Sequence, residues 1–171
     1  LAGVDINSLV TGLEHSQTQM MRIMPNITAK VGKGSILIYP QPDEEQTKKL
    51  SFLEGLSQFY PLNNEQSFDE LMLVTGSGPA YIFYLAECLA RAGVDAGLPS
   101  DLARKLADTT VSGAGELLRL SNDSPSQLRI NVTSPNGTTQ AGLNVLMADD
   151  GLQPVMSKTV AAAAKRSKEL S

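Results

Sequence analysis

The rhythm of apolar positions along the chain changes near residue 65. Before it, short apolar runs alternate with turn residues. Ile6, Leu9, Val10 and Leu13 recur at helical spacing behind Asp5, a residue type suited to capping. Met20-Met21-Arg22-Ile23-Met24 reads as a strand stopped by Pro25-Asn26, and Ser35-Ile36-Leu37-Ile38-Tyr39 as a second, closed by Pro40 and Pro42. Asp43 is placed to cap a helix with Leu50, Leu53 and Leu56 on one face, and Tyr60-Pro61-Leu62-Asn63 gives a third short strand. Strand–helix–strand alternation is the mark of an α/β layer. Here it reads as the tail end of one, too small to stand alone.

After residue 65 helical patterns dominate. A short helix spans Ser67 to Leu73, and a long one runs from Ser77 to about Gly97. At 1.5 Å per residue the long helix extends roughly 30 Å. Within Tyr81–Gly97 its only charged positions are Glu87, Arg91 and Asp95, four apart, with Glu87 and Arg91 in the favoured order for an i,i+4 pair. A helix apolar around most of its circumference is expected to be buried on most sides. A single small domain rarely surrounds one that long, so a partner subunit is expected to cover it. Pro99-Ser100 separates it from a helix over Asp101–Ser121, whose Ala103, Ala107, Gly113, Ala114 and Gly115 allow close approach of a neighbour. Further helices are predicted over Pro125–Val132, Thr138–Ala148 and Pro154–Leu170, an all-α bundle of five or six helices.

Composition removes several classes of function. The 171 residues contain one Cys, Cys88, and one His, His15, so an internal disulfide, a thiolate zinc cluster and a multi-His metal site are all out of reach within one chain. No spacing suits a metal. The net charge is −4 with basic residues scattered, the opposite of a nucleic-acid surface. No apolar run reaches the length of a membrane span. Cys88 is read as a small core residue, His15 as solvated, and Met20, Met21 and Met24 as core filler. The chain opens Leu1-Ala2-Gly3 without Met, so it is read as a processed chain or a fragment.

Two segments have the chemistry of binding sites. Gly76-Ser77-Gly78-Pro79-Ala80-Tyr81 stands at the mouth of the long helix. A tight turn with Ser77 as cap and Pro79 in the first turn accounts for it equally well. It is not the dinucleotide fingerprint, since Tyr81 occupies the third Gly position. Val132-Thr133-Ser134-Pro135-Asn136-Gly137-Thr138-Thr139 crowds four hydroxyls around a turn that opens a helix. Free N–H groups and hydroxyls there suit a carboxylate or phosphate, with the helix dipole adding about 0.3–1 kcal/mol. The plainer reading is an Asn-Gly turn with a Thr cap. No Ser/His/Asp set or paired carboxylates stand out, so a cofactor would have to supply the chemistry of any enzyme built on this chain.

Taken in order, Arg22-Ile23-Met24-Pro25-Asn26, Gly32-x-Gly34, Gly76-Ser77-Gly78-Pro79-Ala80-Tyr81, Val132-Thr133-Ser134-Pro135-x-Gly137-Thr138-Thr139-x-Ala141-Gly142-Leu143 and Arg166-Ser167-Lys168-Glu169-Leu170 resemble pyrroline-5-carboxylate reductase, from about Val10 to the C-terminus. The resemblance implies a mainly α chain: residues 1–65 are the remnant of a partial α/β, Rossmann-type NAD(P)-binding domain, and residues 66–171 an all-α helical dimerisation and substrate-binding domain. It also implies a cytoplasmic homodimer that can assemble into rings, and reduction of 1-pyrroline-5-carboxylate to L-proline with NADPH or NADH, the last step of proline synthesis. Substrate would be held by Thr133, Ser134, Asn136, Gly137, Thr138 and Thr139. Ser134 and the N–H groups around Gly137 and Thr138 would take the carboxylate, and Thr139 would act as the catalytic hydroxyl at the ring nitrogen. Met24, Pro25, Asn26, Gly78 and Pro79 would lie near the nicotinamide.

Hydride transfer to a protonated imine develops no negative charge at carbon, so the protein need only position two reactants and keep the imine protonated. The family loop usually reads Ser-Pro-Gly-Gly-Thr-Thr, and Asn136 stands at its first Gly. Asn tolerates a left-handed backbone better than most residues. The phosphate-binding G-x-G-x-x-G unit is absent, so the 171 residues alone are expected to turn over little or no substrate. Two alternatives remain open at this level: a non-catalytic dimerisation module, and a related reductase acting on another imine or keto acid.

Overall fold

The computed structural model describes residues 6–11 and 20–170. Asp5, Leu13 and His15 lie outside them. The described chain forms two compact units, one holding residues up to Pro79 together with those from Thr159 onward, the other Ala80–Lys158.

The first unit is built on a three-stranded sheet in the order β1 (Arg22–Pro25), β2 (Gly34–Tyr39), β3 (Ser57–Pro61). β1 pairs antiparallel with β2, Arg22 opposite Tyr39 and Pro25 opposite Ile36. β3 pairs with β2 in parallel, Ser35 opposite Gln58 and Leu37 opposite Tyr60. Ile36, Leu37 and Ile38 are all buried. Three consecutive buried positions mean that both faces of β2 are covered, as in the central strand of an α/β layer. β1 starts two residues later than its Met-rich pattern predicts and ends one later, on Pro25, which lacks an N–H and is tolerated at the end of a strand. Met20, Met21 and Met24 are half-buried.

The crossover to β3 uses α2 (Glu44–Leu50). Asp43 Oδ1 accepts from Gln46 N at 2.7 Å and Gln46 Oε1 accepts from Asp43 N at 2.9 Å, a complete capping box. The helix is shorter than the Leu50–Leu53–Leu56 pattern predicts. A 3₁₀ turn at Ser51–Leu53 ends it, Leu56 is exposed, and the third strand begins at Ser57, earlier than the Tyr60 start read from sequence. After α1 (Ile6–Thr11) and this sheet, α3 (Gln66–Thr75) packs on β2 and buries Phe68 and Leu73.

Arg22 ties β1 to α3. Its guanidinium lies 3.3 Å from Glu65 and 3.3 Å from Asp69, with its carbon 4.0 Å from the centre of the Phe68 ring. Its side chain is only 9% exposed. Glu65 also accepts the amide of Ile6 at 3.0 Å, which holds α1 to the same point.

The second unit is helical. α4 (Gly78–Asp95) enters it and ends at Gly97, whose φ of 100° lets Gly97 N reach Val94 O and Leu98 N reach Gly93 O. α5 (Ser100–Leu120), α6 (Pro125–Asn131), α7 (Thr138–Leu146) and α8 (Leu152–Leu170) follow, with the end of α8 belonging to the first unit. α4 meets α5 through small residues. A Cβ on Gly93 would sit 3.3 Å from Ala103 Cβ and 3.3 Å from Leu98 Cδ1, and Ala103 and Ala107 are buried.

Within the chain, α4 has no buried residue. Phe83 and Tyr84 are 58% and 60% exposed, and Ile82, Leu85 and Leu89 are exposed with them. This corrects two readings. Cys88 is exposed, not a core residue, because it lies on a helix face that no other part of the described chain covers. Among the described residues Glu87 and Arg91 form no ion pair: both are exposed, where water competes for an interaction worth only a few tenths of a kcal/mol. No helix among the described residues is long and apolar enough to cross a membrane.

Candidate functional site

The loop from Thr133 to Thr139 joins α6 to α7. The Thr133 hydroxyl donates to Arg129 O at 2.6 Å, which satisfies a carbonyl at the end of α6. Ser134-Pro135-Asn136-Gly137 then closes a turn in which Gly137 N donates to Ser134 O at 3.0 Å. Asn136 has φ of 58°. Pro135 fixes a negative φ at the second position, and a positive φ at the third makes this a type II turn. That conformation demands Gly or Asn there, which is why Asn136 can stand where the resembling family has Gly.

Gly137 is the residue that caps α7, and no side chain caps it. This corrects the expectation of a Thr cap: Thr138 is already the first helical residue. Since the Gly137 amide is spent on the turn, the free donors at the start of α7 are the amides of Thr138, Thr139 and Gln140, which have no acceptor within the helix. Ser134, Thr138 and Thr139 are exposed, while Gly137 is half-buried. A Cβ on Gly137 would collide with Ser134 Oγ, so the Ser134 hydroxyl lies against the entrance of α7. The result is an accessible helix start that offers three backbone donors and the hydroxyls of Ser134, Thr138 and Thr139. It can hold a carboxylate.

The remaining sequence-predicted residues lie in the first unit. Met24 and Pro25 end β1, and Asn26 follows. Asn26 Nδ2 donates to Thr75 O at 2.9 Å, which brings the Met24–Asn26 segment to the residue just before the Gly76–Pro79 turn. Gly78 opens α4 with Pro79 in its first turn, and space for a Cβ on Gly78 is empty within 4 Å. Backbone there is open to a ligand. The loop over 133–139 belongs to the other unit. A groove of about 390 Å³ between α3 and the end of α8, lined by Asp69, Glu70 and Lys168 among others, contains none of the sequence-predicted site residues.

Two contacts went unread in the sequence. The Arg22 ion pairs had a visible signal, a charge inside an apolar strand and two carboxylates four residues apart, Glu65 capping α3 and Asp69 in its first turn. The Asn26–Thr75 bond had none, because its acceptor is a main-chain carbonyl.

The pyrroline-5-carboxylate reductase of Pisum sativum is 40% identical over 172 residues, covering 99% of this chain and 62% of the pea protein, so the chain spans less than two thirds of that relative. A solved structure of a pyrroline-5-carboxylate reductase from Coxiella burnetii superposes with a TM-score of 0.88 at 31% identity, covering 99% of this chain and 63% of that one. The Plasmodium falciparum pyrroline carboxylate reductase, solved with NADP bound, superposes with a TM-score of 0.82 at 27% identity, covering 99% of this chain and 68% of that one. The model of the pyrroline-5-carboxylate reductase dimerisation family matches residues 65–170. With that match over more than half its length, the chain belongs to the pyrroline-5-carboxylate reductase dimerisation family.

Proposed function

We propose that this chain is the substrate-binding and subunit-pairing part of a reductase that converts 1-pyrroline-5-carboxylate to L-proline with NADPH or NADH. The observation that supports the reading best is the α7 entrance. A type II turn delivers Ser134 beside the unpaired amides of Thr138, Thr139 and Gln140, and a five-membered ring with a carboxylate needs one such anchor. With the carboxylate on that anchor, the Thr139 hydroxyl is within one helical residue of it and serves the ring nitrogen, holding the proton that makes the imine an acceptor. Thr133 supports the loop by its bond to Arg129 O, and Asn136 supplies the turn. Met24, Pro25, Asn26, Gly78 and Pro79 are the residues we assign to the nicotinamide end of the nucleotide; an open, side-chain-free backbone at Gly78 fits a flat ring. The bound nucleotide supplies the hydride.

The functional division we propose runs near residue 65, where the family match begins. The exposed apolar side chains of α4, Phe83 and Tyr84 among them, support a homodimer, since a monomer does not leave such a face in water. Larger rings and a cytoplasmic location belong to the same reading.

The test is turnover. The complete enzyme that contains this chain is expected to oxidise NADPH or NADH when given 1-pyrroline-5-carboxylate and to release proline. The 171 residues alone are expected to show little or no turnover. A complete enzyme that leaves the imine untouched refutes the reading.

A further inference from the structure

We propose that Asn26 is a positioning residue whose side chain sets the spacing between the Met24–Asn26 segment and the Gly76–Pro79 turn, and thereby the fit of the nicotinamide nucleotide. The inference rests on the function proposed above. It starts from the Asn26 amide, three of whose four hydrogen-bonding positions are filled. Oδ1 accepts from Ser35 N at 3.1 Å and from the Thr28 hydroxyl at 2.7 Å, while Nδ2 donates to Thr75 O at 2.9 Å. Ser35 N can only donate and Thr75 O can only accept, so the amide has one orientation that satisfies both. The Asn26 main chain adds a bond of its own to Ser35 O at 3.2 Å. The side chain is thus locked to the β1–β2 turn on its oxygen side and reaches α3 on its nitrogen side.

Thr75 is the last residue of α3, and its carbonyl is one of those a helix end leaves without a partner. Asn26 provides that partner. The next residues are wound tightly: Gly76 N and Ser77 N both donate to Met72 O, at 2.8 and 3.3 Å, and a Cβ on Gly76 would lie 2.9 Å from that oxygen. A turn this close-packed transmits the position of Thr75 to Gly78. At its other end α3 is fixed by Arg22 through Glu65 and Asp69. β1 therefore holds α3 at two points. The Arg22 point acts on stability, and the Asn26 point adjoins both assigned nucleotide segments.

The geometry requires an amide. In Asn26→Asp the oxygen facing Ser35 and Thr28 is retained and the donor facing Thr75 O becomes an acceptor, so attraction turns to repulsion at that one contact. Thr28→Val is the matched control. It removes a hydroxyl whose single proton is shared between Asn26 Oδ1 and Lys33 O, at 2.7 and 2.9 Å, and leaves the Asn26–Thr75 bond in place.

In the complete enzyme, Asn26→Asp is expected to weaken NADPH or NADH binding about tenfold, the scale of one lost hydrogen bond, in both direct titration and nucleotide KM. The KM for the imine is expected to stay within about twofold, since the 133–139 loop is untouched. Hydrogen exchange is expected to accelerate at the Gly76 and Ser77 amides and to remain slow at Ile36–Ile38, the sign that the sheet is intact. Thr28→Val is expected to leave nucleotide affinity within about twofold. Asn26→Ser, too short to reach Thr75, is expected to behave as Asn26→Asp and replaces it if that variant does not fold. The inference is overturned if nucleotide affinity is unchanged, and equally if affinity falls while exchange at Gly76 and Ser77 stays slow, which would make Asn26 a direct nucleotide contact. It is also overturned if Thr28→Val weakens the nucleotide as much as Asn26→Asp, which would mean a general loosening of the turn. If the parent enzyme fails to reduce the imine, the functional reading fails by itself, and the nucleotide titration still judges Asn26.

Discussion

Gly137→Ala isolates the chemistry of the α7 entrance from the stability of the fold. Gly137 has φ of −84° and ψ of 174°, extended backbone that any residue adopts, so the substitution introduces no main-chain strain. The added methyl instead meets Ser134: it collides with Oγ and sits 3.1 Å from Ser134 O and 3.6 Å from Ser134 Cβ. The carbonyl is pinned by the turn bond from Gly137 N, so the hydroxyl gives way by rotating to another χ1 well, away from the start of α7. A hydrogen bond to a charged group contributes about 1.5–3 kcal/mol. Losing the one from Ser134 to the carboxylate is therefore expected to weaken proline binding roughly 10- to 150-fold.

Calorimetric titration of proline into the complete enzyme reads this number, and urea unfolding reads the fold, which is expected to lose no more than about 1 kcal/mol. Ser134→Ala is expected to give the same loss of affinity. Because the methyl acts only through Ser134, the double variant is expected to bind no worse than either single one, a strongly non-additive cycle. Proline bound as tightly by folded Gly137→Ala as by the parent would refute the placement of Ser134 at the carboxylate. Additive losses in the double variant would show that the methyl acts on something else.

Three further outcomes are expected. Replacing Asn136 by Val puts a β-branched residue at φ of 58° and is expected to cost about 1–2 kcal/mol in urea unfolding, while Asn136→Gly is neutral or better; equal stability of the two would rule out the type II turn. Arg22→Ala leaves the half-buried Glu65 without its cation and removes the contact with Phe68; a loss of about 2 kcal/mol is expected, below that for a fully buried pair because the Glu65 and Asp69 side chains are 20% and 38% exposed, and a change under about 1 kcal/mol would contradict the coupling of β1 to α3. Burying a Phe contributes about 1.5–3 kcal/mol, and a two-fold interface counts it twice, so Phe83→Asp is expected to weaken self-association by about two to four orders of magnitude in sedimentation; a parent chain that is monomeric at micromolar concentration would remove the proposed homodimer.

Much of the architecture is written in local chemistry that needs no tertiary knowledge. The apolar run Ile36-Leu37-Ile38 can only be a strand covered on both faces, and Asp43 with Gln46 spells out a capping box. The Pro99, Pro125 and Gly137 breaks locate the helices of the second unit to within a few residues. Pro135-Asn136 prescribes a turn that opens a helix, so the candidate carboxylate site was legible as a segment.

Three things depended on the folded chain. Where α2 stops and β3 begins was decided by the parallel register against β2, which overrides the Leu50–Leu53–Leu56 periodicity. Which donors remain free at α7 was decided by the Ser134–Gly137 bond, which consumes one amide and places the cap on a glycine. That Cys88 and the apolar face of α4 meet water within this chain was decided by what packs against them, and periodicity reports only that a face is apolar, never what covers it. Local propensity and capping act over a few residues and are encoded there. Strand register, a side chain reaching a distant carbonyl, and the partner of a helix face join residues tens of positions apart, and only the tertiary structure sets those distances.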